Sequence, residues 1–336
     1  MASLSKRLAV TRKAGLDIAA KTGKKQLVQV LERATLDLRQ RLTQVEGLKA
    51  AGRDIPFTEE RLRLTLLQVQ DVTRSVKRGI KQTVLDTGQM AADKASNTLL
   101  DYLAVAEKTY RGLAQVLPLD EAAVFFRATS GVESSVLHRL ESDPYHPSQP
   151  GVLDRYGTAT IGHFEELLQQ GLITREHWVD VRNNVIAVSP FLQDAPAYWA
   201  ERIVRTESMH AYGRASWEGM READAQLGDM CKILCATFDD RTGWDSYQVH
   251  GQIRRVDEAF EWSDPKGGVQ LYQHPPNRPN DREAVVPHRL GWDIPAELEP
   301  LNDGEVVTAW TRDGRTGAPP ERPKMSTVDI KKKEKR

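Results

Sequence analysis

Three polar clusters in the second half of the chain hold the residue types best suited to chemistry. In chain order they are Arg205-Thr206-Glu207, Asp239-Asp240-Arg241-Thr242, and a proline-rich run from Pro275-Pro276 to Asn280-Asp281-Arg282. Charged side chains beside apolar segments must find partners or stay in water. Arginine and carboxylate groups satisfy each other through paired hydrogen bonds. We therefore predict that the clusters meet as a polar staple that holds this part of the fold together.

The same residues also allow a catalytic interpretation, as a nuclease or a transferase. The residues of such a site would be Arg205, Glu207, Asp240 and either His250 or His274. Carboxylates with a histidine can bind Mg²⁺ or transfer protons. Against this, the sequence has no glycine-rich phosphate loop, no Gly-x-Ser-x-Gly and no His-Glu-x-x-His. We favour a structural role, and we predict no catalytic residue and no cofactor.

A third interpretation makes the aromatic residues of this region a stacking surface for single-stranded nucleic acid. The rings would be those of Trp244, Tyr247, Trp262, Tyr272 and Trp292, beside Arg254, Arg255 and Arg289. Such a surface needs several rings open to solvent next to the arginines. Core packing explains the same aromatic residues without a ligand, so their exposure separates the two interpretations.

The two cysteines, Cys231 and Cys235, lie four positions apart in an apolar segment. Two cysteines are too few for a disulfide framework and suit a reducing compartment. A zinc site would need two further ligands beside them. We therefore predict that both are core residues and that the chain binds no metal.

Charge is unevenly distributed, although the 47 basic and 47 acidic side chains of the whole chain cancel. Residues 1–50 hold eleven Lys and Arg against four Asp and Glu, a net charge of +7, and the chain ends in Lys331-Lys332-Lys333-Glu334-Lys335-Arg336. Basic ends can contact DNA phosphates, although most charged helix faces are simply solvated. No apolar run is long enough to span a bilayer, so we predict no membrane partner.

Two long helices are predicted to precede the polar clusters. Apolar residues recur every three or four positions from Leu4 to Leu48, which is typical of an amphipathic helix. A second helix should begin with Thr58 as its N-cap and continue to Leu117, where Pro118 ends it.

The second helix carries a heptad-like apolar seam about three repeats long. Its aliphatic members are Leu62, Leu66, Val69, Val76 and Ile80. A stripe of this length packs either inside the chain's own helical bundle or against another subunit. The second alternative, in which these five residues bind a partner, is our hypothesis, and the first remains open.

The remaining patterns predict a predominantly helical α+β fold, with long N-terminal helices, a small α+β domain and a flexible C-terminal tail. A helix from Pro196 to Gln226 precedes β-rich runs at Ile233–Phe238, Val256–Trp262, Val269–Tyr272 and Ala284–Val286. The predicted segments are a helical arm or bundle at 1–118, a helical linker region at 119–196, the α+β domain at 197–300 and the tail at 301–336. The tail is assigned because this segment has few apolar residues and many turn formers.

The polar clusters resemble the pattern of the phage head morphogenesis, or minor capsid, proteins typified by the F protein of Mu-like phages. That family has an Arg-Thr-Glu helix, a strand ending in Asp-x-Arg-Thr, a His or Leu followed by Gly, and a proline-rich loop ending in Asn-x-Arg-x. The matching residues here are Arg205, Thr206, Glu207, Asp240, Arg241, Thr242, His250, Gly251, Pro276, Asn280 and Arg282. The resemblance covers roughly residues 170–289, and the long N-terminal helices lie outside it.

The resemblance implies a minor head protein inside the capsid, near the portal, that acts in head morphogenesis and in DNA packaging or delivery. The implied partners are the portal protein and other phage head proteins, with packaged DNA reached through the basic N-terminal helix and the C-terminal lysines. The implied location is the virion, and the host cytoplasm during assembly. The alternatives are a nuclease or ADP-ribosyltransferase-like enzyme carried in the virion, or a DNA-binding module. Many relatives have cysteines after the Asp-x-Arg-Thr turn, and their absence from Gly243–Tyr247 argues against a cysteine-bound metal.

Overall fold

The structure, a computed structural model, describes residues 4–47, 58–111, 118–142, 150–174, 176–188, 191–238, 242–276 and 283–328. Contacts divide the chain into two compact units. Unit 1 comprises Met1–Ala19, Gly88–Val132 and Thr206–Arg336, and unit 2 comprises Ala20–Thr87 and Glu133–Arg205. Each predicted segment is one continuous stretch of chain, whereas each unit combines several separate stretches. The units therefore do not test the predicted segment boundaries, which stay a prediction.

Helices, four of them long, make up most of the described chain. They are α1 (Leu4–Gly47), α2 (Glu59–Arg111), α3 (Glu121–Thr129), α4 (Val132–Glu141), α5 (Val152–Ile173), α6 (Trp178–Val188), α7 (Phe191–Leu227), α8 (Trp244–Val249) and α9 (Asp303–Arg312). The N-cap expected for α2 is present, because the Thr58 hydroxyl accepts a hydrogen bond from the Arg61 amide at 3.4 Å.

Five short strands form two small antiparallel sheets. They are β1 (Met230–Cys235), β2 (Ile253–Arg255), β3 (Phe260–Ser263), β4 (Val269–Tyr272) and β5 (Ala284–Arg289). One sheet has the order β2-β1-β5, and β3 pairs with β4 in the other. In the first sheet Lys232 of β1 lies opposite Arg254 on one side and Pro287 on the other. The predicted fold class, predominantly helical α+β with long N-terminal helices before a small sheet region, is confirmed.

The apolar seam of α2 is covered by helices of unit 2. Val69, Val76 and Ile80 are buried, whereas Leu62 and Leu66 are half-buried. The side chains around Val69 and Val76 include Leu38 of α1 and Tyr156 and Phe164 of α5. Val69, Val76 and Ile80 are therefore core residues of the chain itself. This corrects the hypothesis that they bind a partner, because a buried side chain offers no surface to a second protein.

The core of unit 1 lies between the three-stranded sheet and three helices. It joins Leu103 of α2, Val124 of α3 and Met220 of α7 to Ile233 of β1 and Val286 of β5. All five side chains are buried. Helices α2, α3 and α7 thus pack against the sheet, as in a layered α+β fold.

Much of the C-terminal segment is folded, contrary to the predicted flexible tail. Helix α9 begins with a capping box in which Asn302 and Glu305 bond each other's main chain. Its Trp310 packs edge-to-face against Trp244 of α8, with ring centroids 4.7 Å apart. For residues 303–312 the tail prediction is wrong, because aromatic burial against α8 supplies the core that this helix lacks alone. Residues 329–336 lie outside the described part of the chain.

Candidate functional site

The Arg-Thr-Glu motif lies on α7 and divides between surface and interior. Thr206 and Glu207 are buried, whereas Arg205 is exposed. The predicted staple requires all three clusters to meet. For Arg205, which is exposed, the staple stays a prediction. The remaining members of the staple, Asp240, Arg241, Asn280 and Arg282, lie outside the described residues.

The turn that follows β1 is closed by hydrogen bonds from two directions. Thr242 is buried and donates its hydroxyl to the carbonyl of Thr237. Arg312 of α9 donates to the carbonyl of Thr242, and the Trp244 amide donates to the Asp313 carboxylate at 2.8 Å. Arg312 and Asp313, at the end of α9, therefore hold the chain where it enters α8.

His250 is committed to the main chain through both ring nitrogens. Its Nδ1 accepts from the Ala236 amide at 3.1 Å, and its Nε2 donates to the Glu297 carbonyl at 3.1 Å. Burial lowers the pKa of His250 to about 4. The imidazole is thus neutral, in one tautomer, at physiological pH. Its role in this arrangement is to join β1 to the segment before α9, and it is not placed for proton transfer.

Gly251 follows His250 and allows the chain to turn tightly. Its φ of +78° lies in the left-handed region, which side chains rarely adopt. A Cβ atom there would lie 2.6 Å from the Pro300 nitrogen. Both the torsion and the contact require glycine at this position.

The start of the proline-rich loop lies directly on α7. Gly213 makes room for it, because a Cβ atom at this position would lie 2.1 Å from the Pro275 carbonyl oxygen. The His274 ring lies 5.0 Å from the His210 ring and 5.8 Å from the Trp217 ring. Pro276 is buried and follows a cis peptide bond. Helix α7 therefore contains the Thr206-Glu207 motif and contacts the start of the proline-rich loop.

Lys232, in the middle of β1, anchors the strand side of the same segment. It is fully buried, and its Nζ donates to both the main-chain and side-chain oxygens of Gln273 at 2.9 Å. The ammonium lies 4.8 Å from the centroid of the Phe260 ring. Burial lowers the pKa of Lys232 to about 7, against the attraction of the Asp257 and Glu258 carboxylates.

A second buried polar network joins α2 to the end of β5. Arg289 donates to Glu107 at 2.9 Å and to Asp229 at 2.7 Å. The indole of Trp292 donates to the same Glu107 oxygen at 3.2 Å. Arg289 and Glu107 are both buried, and a pair in that setting is stable only when it is well hydrogen-bonded. The network fixes the far end of the sheet to α2.

Sequence reasoning missed both Lys232 and the Glu107–Arg289 pair. A lysine at the centre of the apolar run Met230–Cys235 was a usable signal, because a charge there must find a partner or change its protonation state. The pair had no such signal, since its members are 182 positions apart. Cys231 is buried and Cys235 half-buried, consistent with core residues.

The stacking surface of the third interpretation is absent from the described residues. Trp244 and Trp292 are buried, as are Arg254 and Arg289, and each belongs to an internal contact. The other three rings, Tyr247, Trp262 and Tyr272, are half-buried. The stacking interpretation is therefore wrong, because it required open rings beside exposed arginines.

Within the described residues, no group of three or more His, Cys, Asp or Glu side chains is placed to hold a metal ion. None of the described helices combines the length and the apolar character needed to cross a membrane. Comparisons with protein-family models, with curated proteins and with solved structures find no match for this chain. The assignment of a function thus depends on the motifs and on the geometry around them.

Proposed function

We propose that the chain is a minor head protein of a tailed phage, which acts inside the capsid near the portal in head morphogenesis and in DNA packaging or delivery. One observation carries the proposal: the four segments of the head morphogenesis pattern occur in the family's order, from Arg205-Thr206-Glu207 to Asn280-Asp281-Arg282. The location that follows is the virion, and the host cytoplasm during assembly.

The local geometry supports a shared scaffold for these segments. Thr206, Glu207, Thr242, His250, Gly251 and Pro276 all belong to unit 1. Helix α7 carries the first segment and, at Gly213, receives the start of the last one. A family pattern spread over 78 positions has a physical reason if its members stabilise one small domain, as these contacts do.

The proposed partners are the portal protein, other head proteins and packaged DNA. Exposed basic side chains on α1 support the DNA contact, and they are Lys21, Lys24, Lys25, Arg33 and Arg39. Cations on one helix can neutralise phosphates and release counterions. The C-terminal lysines proposed for the same role lie outside the described residues.

The proposal is tested by incorporation into heads. The chain is co-expressed with the portal and major capsid proteins of the same genome, procapsids are purified, and bound chain is quantified by mass spectrometry. We expect the chain in purified procapsids and in complexes isolated with the portal. Its absence from both would make the proposal wrong.

A matched pair of variants then tests the motif itself. Arg205→Ala removes the exposed motif arginine, and Arg202→Ala removes an exposed arginine one turn earlier on α7. We expect Arg205→Ala to enter procapsids less than a tenth as often as the wild type, a loss of about 1.4 kcal/mol or more in binding. Its melting curve beside that of the wild type separates lost binding from lost folding. Arg202→Ala should enter normally. Equal incorporation of both variants would exclude Arg205 from the contact.

A further inference from the structure

The chain's own C-terminal segment fills the outer edge of β2. We call residues 321–328 the strap. Ser326 of the strap forms a parallel bridge with Ile253. The Ile253 amide donates to the Met325 carbonyl at 2.8 Å, and the Thr327 amide donates to the Ile253 carbonyl at 3.3 Å. Since β2 is an outer strand of its sheet, the strap pairs with an edge that would otherwise present unpaired main-chain groups.

Arg254 recognises the strap from within the fold. Its side chain is 1% exposed, and its Nη2 donates to the Lys324 carbonyl at 2.6 Å. The same guanidinium donates to the carbonyls of Ile253 and Ala259. Both the sheet edge and the arginine therefore bind main-chain atoms of the strap. Recognition of this kind depends on an extended backbone with a free amide at the position of Thr327.

The strap is attached to the rest of the chain by an exposed connection. Residues 311–318 are exposed, and Gly314 and Gly317 have positive φ. Pro319-Pro320 then leads into the strap and favours an extended chain at that point. Val328, at the end of the strap, packs on the core of unit 1. Side chains of the strap add an ion pair between Arg322 and Asp303 at 3.1 Å and a hydrogen bond from the Thr327 hydroxyl to Glu258. The strap is thus held by a limited set of bonds and one apolar contact, and it is joined to α9 through an exposed loop.

We propose that the edge of β2 is a strand-acceptor site and that two copies of the chain exchange straps through it. The segment seated in the site defines the chemistry that the site accepts, and an identical segment from a second copy offers the same carbonyls and the same amide. Reciprocal exchange would give a closed two-fold dimer. The strap of the same chain competes at an effective concentration in the millimolar range. Exchange therefore becomes visible when that competition is removed.

Two complementary variants of the full chain remove the competition from the chain's own strap. Arg254→Met has a defective acceptor and an intact strap, whereas Thr327→Pro has an intact acceptor and a strap without the amide that bonds Ile253. Each variant alone should sediment as a monomer. Their mixture should form a 1:1 heterodimer in sedimentation velocity, since the free strap of one fits the empty acceptor of the other. A mixture that sediments only as monomers would overturn the proposal.

A peptide measurement keeps the test decisive if Arg254→Met does not fold, which its melting curve will show. A fluorescent peptide of residues 318–330 should bind the Thr327→Pro chain at least about tenfold more tightly than the wild type, whose own strap competes. The same peptide with Thr327→Pro should not bind. Equal binding to both chains, or none to either, would refute the acceptor site. Peptide binding without heterodimer formation would overturn exchange between copies and leave a foreign peptide as the occupant.

Discussion

Replacement of Lys232 by methionine should stabilise the protein at neutral pH and remove a specific part of its pH dependence. Burial lowers the pKa of Lys232 from 10.5 to about 7, which corresponds to ~5 kcal/mol against the charged form. This value is an upper limit, since local relaxation reduces the cost of a buried charge. Methionine has a similar length, carries no charge and fits beside the Phe260 ring.

The sign of the pH effect follows from the lowered pKa of Lys232. Above pH 10.5 the Lys232 amine is neutral in both the folded and the unfolded chain, so it costs no stability. As the pH falls towards 7 the unfolded chain binds a proton and the folded chain does not, which lowers the free energy of unfolding. The stability advantage of Lys232→Met should therefore be largest at pH 7 and below. It should shrink by about 1 kcal/mol for each pH unit between 7 and 9.

The measurement is urea unfolding of both proteins at pH 6, 7, 8 and 9, with the difference in unfolding free energy plotted against pH. Lys266→Met, at an exposed position in the turn before β4, is the matched control and should show no such trend. A difference that stays constant from pH 6 to 9 would refute the reasoning. It would mean that Gln273 and the aromatic rings compensate the buried ammonium in full.

Three further changes test other parts of the fold. Glu107→Ala takes one of two carboxylate partners from the buried Arg289 guanidinium, and urea unfolding should show a loss of roughly 1.5 to 3 kcal/mol; a loss below about 0.5 kcal/mol would mean that the pair contributes little to stability. Gly213→Ala forces the chain away from the Pro275 carbonyl and should lower the unfolding free energy by about 1–3 kcal/mol, whereas Gly162→Ala, with nothing within 4 Å of the added Cβ, should not destabilise. His250, with its pKa lowered to about 4, contributes stability above pH 6.5 that is lost as the pH falls towards 4; His250→Gln should lack this part of the acid transition, and identical acid profiles would contradict the burial of a neutral imidazole.

Local sequence patterns predicted the elements that depend on neighbours within a few residues. The strand expected at Val269–Tyr272 has the predicted bounds, and the helix expected to begin with Thr58 as its N-cap does so. Side-chain periodicity and the positions of proline and glycine act over one or two turns, so they can be read along the chain. The three-residue strand β2 had no such signal. It exists because β1 and the strap supply partners for its main chain.

The candidate site also divides into residues that the sequence pointed to and partners that only the fold determined. The family resemblance singled out His250 and Gly251. The hydrogen bonds of His250 to Ala236 and Glu297, and the close approach of Pro300 to Gly251, give a structural reason for both. The sequence could not identify the partners, because hydrogen bonds across 14 and 47 positions follow from the path of the chain. For Arg205 the sequence predicted a charged partner, and only its direction on the helix, at the surface of α7, comes from the structure.

Two features of the sequence left open which residues would pack against them. The seam of α2 had to be buried by something, and only the tertiary structure decided that α1 and α5 cover Val69 and Val76. The C-terminal segment was too poor in apolar residues to fold by itself, and only the tertiary structure supplied Trp244 as the surface for Trp310. The hydrophobic effect depends on the area removed from water and not on which residues remove it. A sequence therefore shows which faces must be covered, and the folded chain determines what covers them.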